Sequence, residues 1–383
     1  MTQSKALTRR PRKSTVSVPD GLLTKVRGLI LTAREHVARQ VDSTLVALYW
    51  DIGRHLRQDV LKEKRAEYGA GVLAALGRRL ETEFGRGFSY PNLTRMMRLA
   101  EFFPRARIVA TLSQQLTWSH FVSLVAIDDQ LKRNFYAEMC RVERWSVRTL
   151  RQKIQSMLFE RTALSRRPAK LAKLELQGLR DEDRLTPDLV FRDPYLLDFL
   201  GLKDTYAEKD VEEAILREME AFILELGVGF AFLERQKRIT VDGDDYFLDL
   251  LFYHRHLRCL VAIELKLGDF KPADKGQMEL YLRWLDRYER RDGEAPPIGL
   301  ILCAGKKEET VRLLDLETSG IRVASYWTEA LPKSELERKL HDAVRLAREH
   351  LARRAETGQM LPAGELVRPA SPGRGAAQHG AQG

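Results

Sequence analysis

Hydrophobic positions in the first part of the chain recur with a helical period. They fall three or four residues apart, as in Leu45, Leu48 and Ile52, then Leu73, Leu76 and Leu80, then Leu150, Ile154 and Leu158. This spacing places the apolar side chains on one face of each α-helix, and no alternating strand pattern competes with it between about residues 20 and 160. We therefore predict an all-α N-terminal domain over residues 18–162.

Two stretches of this domain predict compact helices with short breaks between them. In FSYPNLTRMMRLAEFF a serine can cap the helix, a proline suits its first turn, and Arg95 and Arg98 lie off the apolar face. LSQQLTWSHFVSLVAI follows, with a predicted break near Thr117. Such helices can enter a groove of nucleic acid as helix-turn-helix proteins do, with Arg95 and Arg98 as the candidate contacts. A plain helical bundle explains the same pattern equally well.

The pattern changes after residue 209. An amphipathic helix, KDVEEAILREMEAFILELG, precedes the predicted strands GFAFLERQKRITV, YFLDLLFYH and LRCLVAIELKLG, with VDGD as a turn between the first two strands. The helix ADKGQMELYLRWLDRYERR, the buried strand PIGLILCAG, a short helix, the strand IRVASYW and a helix over 333–354 complete the order. This order predicts a mixed α/β domain in which helices flank one sheet.

Composition marks the remaining boundaries. Residues 1–17 and 357–383 lack periodic apolar positions and are rich in small and polar residues, so we predict a disordered tail at each end. Residues 163–187 are strongly charged and contain Pro168 and Pro187, which predicts a linker. The α/β domain then spans residues 188–356.

Charge is divided unequally between the two halves of the chain. Residues 1–180 hold 34 Lys and Arg against 16 Asp and Glu, a net charge of +18, whereas residues 181–383 hold 30 against 38, a net charge of −8. A basic domain joined to an acidic one suits a polyanion-binding module coupled to a part that uses carboxylates. A solvated basic surface gives the same balance and stays an alternative.

The sequence also indicates in which cellular compartment we expect the protein. No apolar run approaches the roughly 20 residues of a membrane-spanning helix, and the basic first residues have no apolar stretch behind them. Cys140, Cys259 and Cys303 lie far apart without paired spacing, which favours neither a disulfide framework nor a zinc module. We therefore expect no membrane association and a location in the reducing cytosol.

Three ionisable residues interrupt the apolar strands of the α/β domain. Asp249 lies within YFLDLLFYH, and Glu264 and Lys266 lie within LVAIELKLG. Residues two apart in a strand face the same side, so Glu264 and Lys266 emerge together. If the two strands pair, Asp249 joins them, and a divalent cation relieves the repulsion of the two carboxylates most directly. Oxygen ligands favour Mg²⁺; the alternative is a buried ion pair that serves only the fold.

The spacing of these residues resembles a known signature. Asp249, fourteen intervening residues and then Glu264-Leu265-Lys266 match the Asp…(Asp/Glu)-X-Lys motif of the PD-(D/E)XK nuclease superfamily, although Leu248 stands where that name has proline. The stretch from DPYLLDFLGL through VAIELKLGDFKPADKGQMELYLRWLD to PPIGLILCAGK resembles the bacterial YhcG-like nucleases, as do YWDIGRHL and FSYPNLTRMMRLAEFFP. The resemblance covers about residues 25–350. It implies a restriction-endonuclease-like PD-(D/E)XK mixed sheet flanked by helices, after an all-α N-terminal domain.

This resemblance implies roles for the motif residues. Asp249 and Glu264, with the carbonyl of Leu265, would bind Mg²⁺, with Mn²⁺ as a substitute. Lys266 would orient or help deprotonate the attacking water and stabilise charge on the phosphate.

Further residues are assigned by the same resemblance. Gln277 and Tyr281 stand four apart on one helix face and resemble the Q-x-x-x-Y element that lies beside the catalytic centre of exonuclease-like members. A helix surface with one half-buried tyrosine is the alternative. Glu220 is the candidate for the extra acid that many members carry before the first strand; Glu213 and Glu218 compete for this role, and a charged solvent face is the alternative for two of the three. Gln236 is a candidate polar contact to the phosphate or water.

The sequence as a whole thus predicts a metal-dependent phosphodiesterase that acts on nucleic acid. DNA is favoured over RNA, a preference that follows from the resemblance alone. The alternative is a catalytically inactive nucleic-acid-binding or assembly subunit that keeps the nuclease fold. A protein partner bound through the N-terminal helical domain is a third hypothesis.

Overall fold

The computed structural model describes residues 20–62, 66–202, 207–328 and 332–356 of the 383-residue chain. The predicted tails, 1–17 and 357–383, lie outside these residues. The chain divides into two compact units, of which unit 1 comprises residues up to 159 together with 175–184, and unit 2 comprises 160–174 and the residues from 185 onward. Among the described helices, none combines the length and the hydropathy that crossing a bilayer requires.

Unit 1 is helical, as the periodicity predicts. Its helices are α1 (Asp20–Lys62), α2 (Ala66–Phe84), α3 (Tyr90–Phe102), α4 (Ala106–Ser113), α5 (Trp118–Leu124), α6 (Gln130–Val142) and α7 (Val147–Gln155). Pro91 lies in the first turn of α3, where its missing N–H costs nothing. α5 begins after Thr117, whose backbone N–H donates to Nδ1 of His120 at 3.0 Å. The predicted break at Thr117 is therefore confirmed.

A close crossing of α1 and α3 organises the core of unit 1. A Cβ atom at Gly53 would lie 1.9 Å from the carbonyl oxygen of Met96. Only glycine lets the two helix backbones approach this closely. Tyr49 and Leu93 are buried beside this crossing.

The predicted linker, residues 163–187, is largely helical. α9 (Ala163–Arg166) and α10 (Ala169–Glu182) lie within it, α8 (Leu158–Arg161) precedes it, and α11 (Pro187–Val190) begins at its last residue. Ala172, Leu176 and Leu179 form the buried face of α10, and most of its charged residues are exposed. The high charge therefore marks the solvent face of an amphipathic helix.

Unit 2 is built on one mixed six-stranded sheet, as the element order predicts. Its elements are β1 (Tyr195–Leu196), α12 (Glu208–Arg217), α13 (Met219–Leu226), β2 (Phe230–Val241), β3 (Asp244–His254), β4 (Cys259–Asp269), α14 (Pro272–Tyr288), β5 (Ile298–Gly305), α15 (Glu308–Leu313), β6 (Ile321–Trp327) and α16 (Lys333–Glu356). The strand order is β1-β6-β5-β4-β3-β2; β2, β3 and β4 pair antiparallel, and the other neighbours pair parallel.

Two local features of unit 2 differ from the sequence prediction. The helix expected over 209–227 is divided into α12 and α13 at Glu218, whose ψ of 32° departs from helical geometry. β1 was not predicted, since it pairs with β6 through only two residues.

The hairpin between β2 and β3 follows its turn residues. Asp242 and Gly243 both have positive φ, 52° and 93°, and Val241 pairs directly with Asp244. A two-residue turn of this kind matches the right-handed twist of the strands, as the VDGD sequence predicts.

The main core of unit 2 lies between the sheet and α14. Leu248, Ala262 and Ile301 of the sheet are buried together with residues of α14, among them Met278 and Leu285. This packing fixes the rotation of α14 about its axis and so directs Gln277 and Tyr281 towards Glu264 on β4 and Phe247 on β3.

Candidate active site

The pairing of β3 with β4 ends immediately before the acidic residues. The paired residues run from His254 and Cys259 to Leu250 and Ile263. One step further, the same register sets Asp249 opposite Glu264. There Oδ2 of Asp249 accepts a hydrogen bond from the Leu265 N–H at 2.8 Å. A side-chain carboxylate thus satisfies an amide of β4, which holds Asp249 beside Glu264.

Glu264 is the most buried member of this cluster, with 5% of its surface exposed. Its Oε1 atom accepts from Nζ of Lys266 at 3.0 Å and from Nε2 of Gln277 at 3.1 Å. Its other oxygen, Oε2, is buried and has no hydrogen-bond partner among the residues that the structure describes. Glu264 and Lys266 therefore emerge on one side of β4, as strand alternation predicts.

Two residues of α14, Gln277 and Tyr281, extend the hydrogen bonds around Glu264. Nε2 of Gln277 also donates to the hydroxyl of Tyr281 at 2.7 Å. That hydroxyl donates in turn to the carbonyl of Phe247 on β3, at 3.2 Å. Gln277 and Tyr281 thus share one helix face, and the structure places both beside Glu264 and β3.

Gln236 of β2 donates hydrogen bonds to two of the acids, Asp249 and Glu212. Its Nε2 atom donates to Oδ1 of Asp249 at 3.0 Å and to Oε2 of Glu212 at 2.9 Å. Gln236 has a φ of 45°, a left-handed conformation inside a strand. The sequence suggested a contact to phosphate or water for this residue. In the structure its amide nitrogen contacts two carboxylates, and the contact to phosphate or water stays a prediction.

The acid that α12 and α13 bring to the cluster is Glu212, and Glu220 is exposed on α13. Glu208 lies one turn before Glu212, and its Oε1 accepts from the Leu267 N–H at 3.2 Å. Neither glutamate was identified in the sequence. The signal that could have found both is their spacing, because two glutamates four residues apart share one helix face.

Burial dominates the electrostatics of these groups. Burial first, and the neighbouring Asp249 charge second, raise the pKa of Glu264 to about 7, although Lys266 opposes the rise. Burial also raises the pKa of Asp249, although hydrogen bonds from Leu265 and Gln236 oppose the rise. Burial lowers the pKa of Lys266, but the Glu264 carboxylate more than offsets this, so the lysine pKa lies above its ordinary value. The cluster therefore pairs a firmly cationic lysine with a carboxyl group that is about half ionised near pH 7.

The donor atoms present fit a hard divalent cation. In the ranges that the structure describes, no group of three or more His, Cys, Asp or Glu side chains forms a metal site by itself. Mg²⁺ does not require one, because it keeps several waters and binds through one or two carboxylates. Glu264 offers Oε2, which has no hydrogen-bond partner within the described ranges, and Asp249 adjoins it. A cation there would also offset the cost of burying two carboxylates.

Arg95 and Arg98, the candidate contacts of unit 1, both lie on α3. Arg95 is exposed, and its Nη1 donates to Oδ1 of Asn92 at 2.8 Å. Nη2 of Arg98 lies 2.5 Å from Oδ1 of Asp128. The Arg98 guanidinium also lies 5.2 Å from the ring centre of Phe102. Arg95 therefore presents the less neutralised charge of the two.

Comparison with known proteins agrees with this architecture. Residues 188–342 match the YhcG PDDEXK nuclease domain, and residues 25–161 match the DUF1016 N-terminal domain. "Putative nuclease YhcG" of Escherichia coli (strain K12) is 36% identical, over 84% of this chain and 90% of that protein.

Two solved structures are similar to a third of this chain. A repair endonuclease from Pyrococcus abyssi is 20% identical over 34% of this chain and 50% of its own, with a TM-score of 0.22. An EndoMS–dsDNA complex is 21% identical over 34% of this chain and 49% of its own, with a TM-score of 0.25. The alignments thus span about half of each of those chains. The matches to both domains and to the curated relative show that this chain belongs to the YhcG family, which joins a DUF1016 N-terminal domain to a YhcG PDDEXK nuclease domain.

Proposed function

We propose that unit 2 hydrolyses phosphodiester bonds of nucleic acid with a divalent cation, Mg²⁺ or Mn²⁺, held by Asp249, Glu264 and the carbonyl of Leu265. The observation that carries this proposal is the convergence of Asp249, Glu264 and Lys266 where β3 and β4 part. Membership of a PDDEXK nuclease family supports the same chemistry.

The side chains divide the chemical work between them. When bound, the cation lowers the pKa of a water molecule and offsets negative charge on the phosphate. Lys266, whose side chain is 21% exposed, can direct its remaining N–H donors at the attacking water or a phosphate oxygen. Gln277 and Gln236 orient Glu264 and Asp249 through their amides. The acids are thus held before substrate arrives, which lowers the cost of reorganising them during the reaction.

We further propose that the substrate is DNA rather than RNA and that unit 1 contributes phosphate contacts through Arg95 and Arg98. The preference for DNA rests on the resemblance to PD-(D/E)XK nucleases. The role of unit 1 is supported by the net charge of +18 over residues 1–180 and by the exposure of Arg95. We place the reaction in the cytosol, since all three cysteines are free and buried, which suits a reducing compartment.

Cleavage assays with the full-length protein test the catalytic proposal. Labelled linear, nicked and branched DNA and matching RNA are incubated with Mg²⁺ or Mn²⁺. We expect Lys266→Ala to lower the cleavage rate at least about 100-fold with little change in DNA affinity, because the lysine acts on charge that develops in the reaction. Lys209→Ala is the matched control, since Lys209 is 80% exposed and forms a weak surface pair with Glu213 at 3.7 Å. Equal inactivity of wild type and Lys266→Ala on every substrate would favour the non-catalytic binding or assembly subunit instead.

The salt dependence of DNA binding tests the role of unit 1. Each phosphate contact contributes about 0.9 to the slope of log K against log salt for duplex DNA. Arg95→Ala should therefore lower that slope by close to this amount, and Arg98→Ala by less, since Asp128 already neutralises Arg98. Arg345→Ala, on α16 of unit 2, serves as the control because Asp342 and Glu349 pair with it. An unchanged slope in Arg95→Ala would exclude this face of α3 from DNA binding.

A further inference from the structure

Phe247 is an exposed aromatic residue beside the candidate active site. It lies on β3, two residues before Asp249, and half of its surface is exposed. Two residues of a strand span about 7 Å. Phe252, further along β3, is fully buried and packs its ring against Phe222 and Phe230. Phe247 thus lies outside the aromatic core of the sheet and close to a central acid of the site.

The direction of the Phe247 side chain follows from its neighbours. Tyr246 and Leu248 both pack into the core between the sheet and α14. Side chains alternate between the two faces of a strand, so Phe247 points away from α14. Arg238 lies directly opposite Phe247 in the pairing of β2 with β3, and its neighbour Ile239 packs into the same core. The ring and the guanidinium therefore share one face of the β2–β3 hairpin.

Hydrogen bonds connect the backbone of Phe247 to the candidate active site. Its carbonyl oxygen accepts from the hydroxyl of Tyr281 at 3.2 Å, and that hydroxyl accepts from Nε2 of Gln277 at 2.7 Å. The same Nε2 atom donates to Oε1 of Glu264 at 3.1 Å. A nucleic acid that reaches Glu264 therefore lies close to Phe247.

Arg238 presents its charge beside the ring. Its side chain is 65% exposed, and its Nη2 lies 2.7 Å from Oδ2 of Asp245, which also accepts from the hydroxyl of Thr240. This pair holds the guanidinium in place and leaves most of its five N–H donors for a ligand. β2 as a whole carries three Lys or Arg residues and one Glu. The strand beside the ring is therefore complementary in charge to a phosphate backbone.

The chemistry of this pair matches an unpaired nucleotide. A phenyl ring cannot hydrogen-bond to phosphate or sugar, and the part of a nucleic acid that packs on it is the flat face of a base. In a duplex the neighbouring base pairs cover those faces, so a ring reaches them only where the base is unpaired or unstacked. Proteins that bind single strands combine cations along the backbone with rings on which the bases stack. Arg238 and Phe247 supply one contact of each kind.

We propose that Phe247 stacks on an unpaired base of DNA while Arg238 binds an adjacent phosphate, so that the strand entering the site is single-stranded. This inference rests on the proposed function and narrows its substrate class. It selects single strands, flaps and frayed ends over continuous duplex, because a duplex must first be opened to offer a base to the ring.

Binding to single-stranded DNA tests the stacking contact. Every protein in this experiment is full-length and carries Lys266→Ala, so that Mg²⁺ is present without cleavage. Fluorescence anisotropy measures the affinity for a labelled oligothymidine and for a duplex of the same length. Phe247→Leu should weaken single-strand binding about 5- to 100-fold, whereas Phe247→Trp should retain it, because only a ring stacks on a base.

The same measurement contains its control. Tyr288 is an exposed aromatic residue at the end of α14, 64% exposed, so Tyr288→Leu should leave single-strand affinity unchanged. Phe247→Leu should change duplex affinity by less than about twofold, since a closed duplex offers the ring no base. A Phe247→Leu protein that binds single strands as well as its parent, or that loses duplex affinity equally, overturns the proposal.

The salt dependence of single-strand binding separates the two side chains. Each phosphate contact contributes about 0.7 to the slope of log K against log salt for single strands. Arg238→Ala should lower the slope by this amount, and Phe247→Leu should leave it unchanged because stacking releases no counterions. Arg345→Ala is the control, since Arg345 on α16 pairs with Asp342 and Glu349. An unchanged slope in Arg238→Ala overturns the proposed phosphate contact.

Cleavage by proteins with the native Lys266 distinguishes a failure of this inference from a failure of the proposed function. On DNA with a single-stranded arm, Phe247→Leu should lower kcat/KM mainly by raising KM, because the ring binds substrate away from the reacting atoms. A wild type that cleaves duplex and single strands equally well, without any effect of Phe247→Leu, overturns this inference alone. A protein that cleaves nothing, but loses single-strand affinity in Phe247→Leu, supports the stacking contact and refutes the nuclease proposal.

Discussion

Replacing Glu264 with glutamine should stabilise the metal-free protein at alkaline pH. The pKa of this carboxyl is raised from its ordinary 4.5 to about 7, first by burial and then by the charge of Asp249. Between pH 4.5 and about 7, the folded chain therefore keeps the proton of Glu264, whereas the unfolded chain has released it. The contribution of Glu264 to the free energy of unfolding is therefore fully present below pH 4.5. It is lost as the pH rises from 4.5 to about 7, because the folded state must then ionise a buried group.

The size of this effect follows from the same interval. One pH unit corresponds to about 1.4 kcal/mol, so an interval from 4.5 to about 7 corresponds to about 3 kcal/mol. Glutamine resembles the protonated carboxyl in shape and carries no charge. Glu264→Gln should therefore match wild type near pH 4.5 and exceed its unfolding free energy by about 3 kcal/mol at pH 8.5 in a chelating buffer.

Urea unfolding of the full chain, followed by hydrogen exchange in peptides of β3 and β4, measures this difference within unit 2. Glu213→Gln is the matched control, because the Glu213 side chain is 58% exposed and pairs only weakly with Lys209. It should change stability by less than about 0.5 kcal/mol at either pH. A Glu264→Gln protein that is less stable than wild type at pH 8.5, or equally stable at both pH values, would refute the reasoning. Saturating Mg²⁺ should reduce the difference, since it stabilises the ionised wild-type site.

Two further substitutions test packing and hydrogen bonding. Gly53→Ala should destabilise unit 1 by more than about 2 kcal/mol in thermal unfolding, because its Cβ would overlap the carbonyl of Met96. Gly71→Ala on α2 is the control, since a Cβ there would meet no described neighbouring atom within 4 Å, and it should be neutral or stabilise by about 0.5–1 kcal/mol. Tyr281→Phe removes the donor to the Phe247 carbonyl and should lower the unfolding free energy of unit 2 by about 1–3 kcal/mol in urea titrations. Equal effects of the two glycine substitutions, or an unchanged Tyr281→Phe protein, would contradict these interpretations.

Strand periodicity, together with the pairing of two neighbouring strands, predicted which side chains meet at the centre of the candidate site. Glu264 and Lys266 are two apart in an apolar strand, so their shared side follows from backbone geometry. The approach of Asp249 required only that its strand pair with the next one, which the hairpin-like spacing of the strands favoured. Gln277 and Tyr281 were found by helix spacing together with the resemblance. These features depend on local geometry, which the sequence carries directly.

The missing part of the site depends on how elements pack together. Glu212 reaches the cluster only because α12 lies against the sheet at one rotation, and Gln236 bridges it to Asp249 from a left-handed backbone conformation. Position 236 holds glutamine rather than glycine or asparagine, the residues that would indicate a left-handed conformation in the sequence. The break between α12 and α13 at Glu218 has no glycine or proline either. Tertiary contacts override local preference at these positions, so sequence periodicity cannot report them.

The hydrogen bonds of the two central acids show why the site is both costly and chemically useful. Oδ1 and Oδ2 of Asp249 accept from Gln236 and from the Leu265 N–H, and Oε1 of Glu264 accepts from Lys266 and Gln277. Three of the four carboxylate oxygens thus accept hydrogen bonds from the chain, and Oε2 of Glu264 is buried without a partner in the described part of the chain. A fold selected only for stability would pair or remove that oxygen, because a buried acceptor without a partner costs about 1–3 kcal/mol. A divalent cation needs such an unpaired oxygen as a ligand. The oxygen that weakens the metal-free protein is therefore the one that we expect to bind the metal.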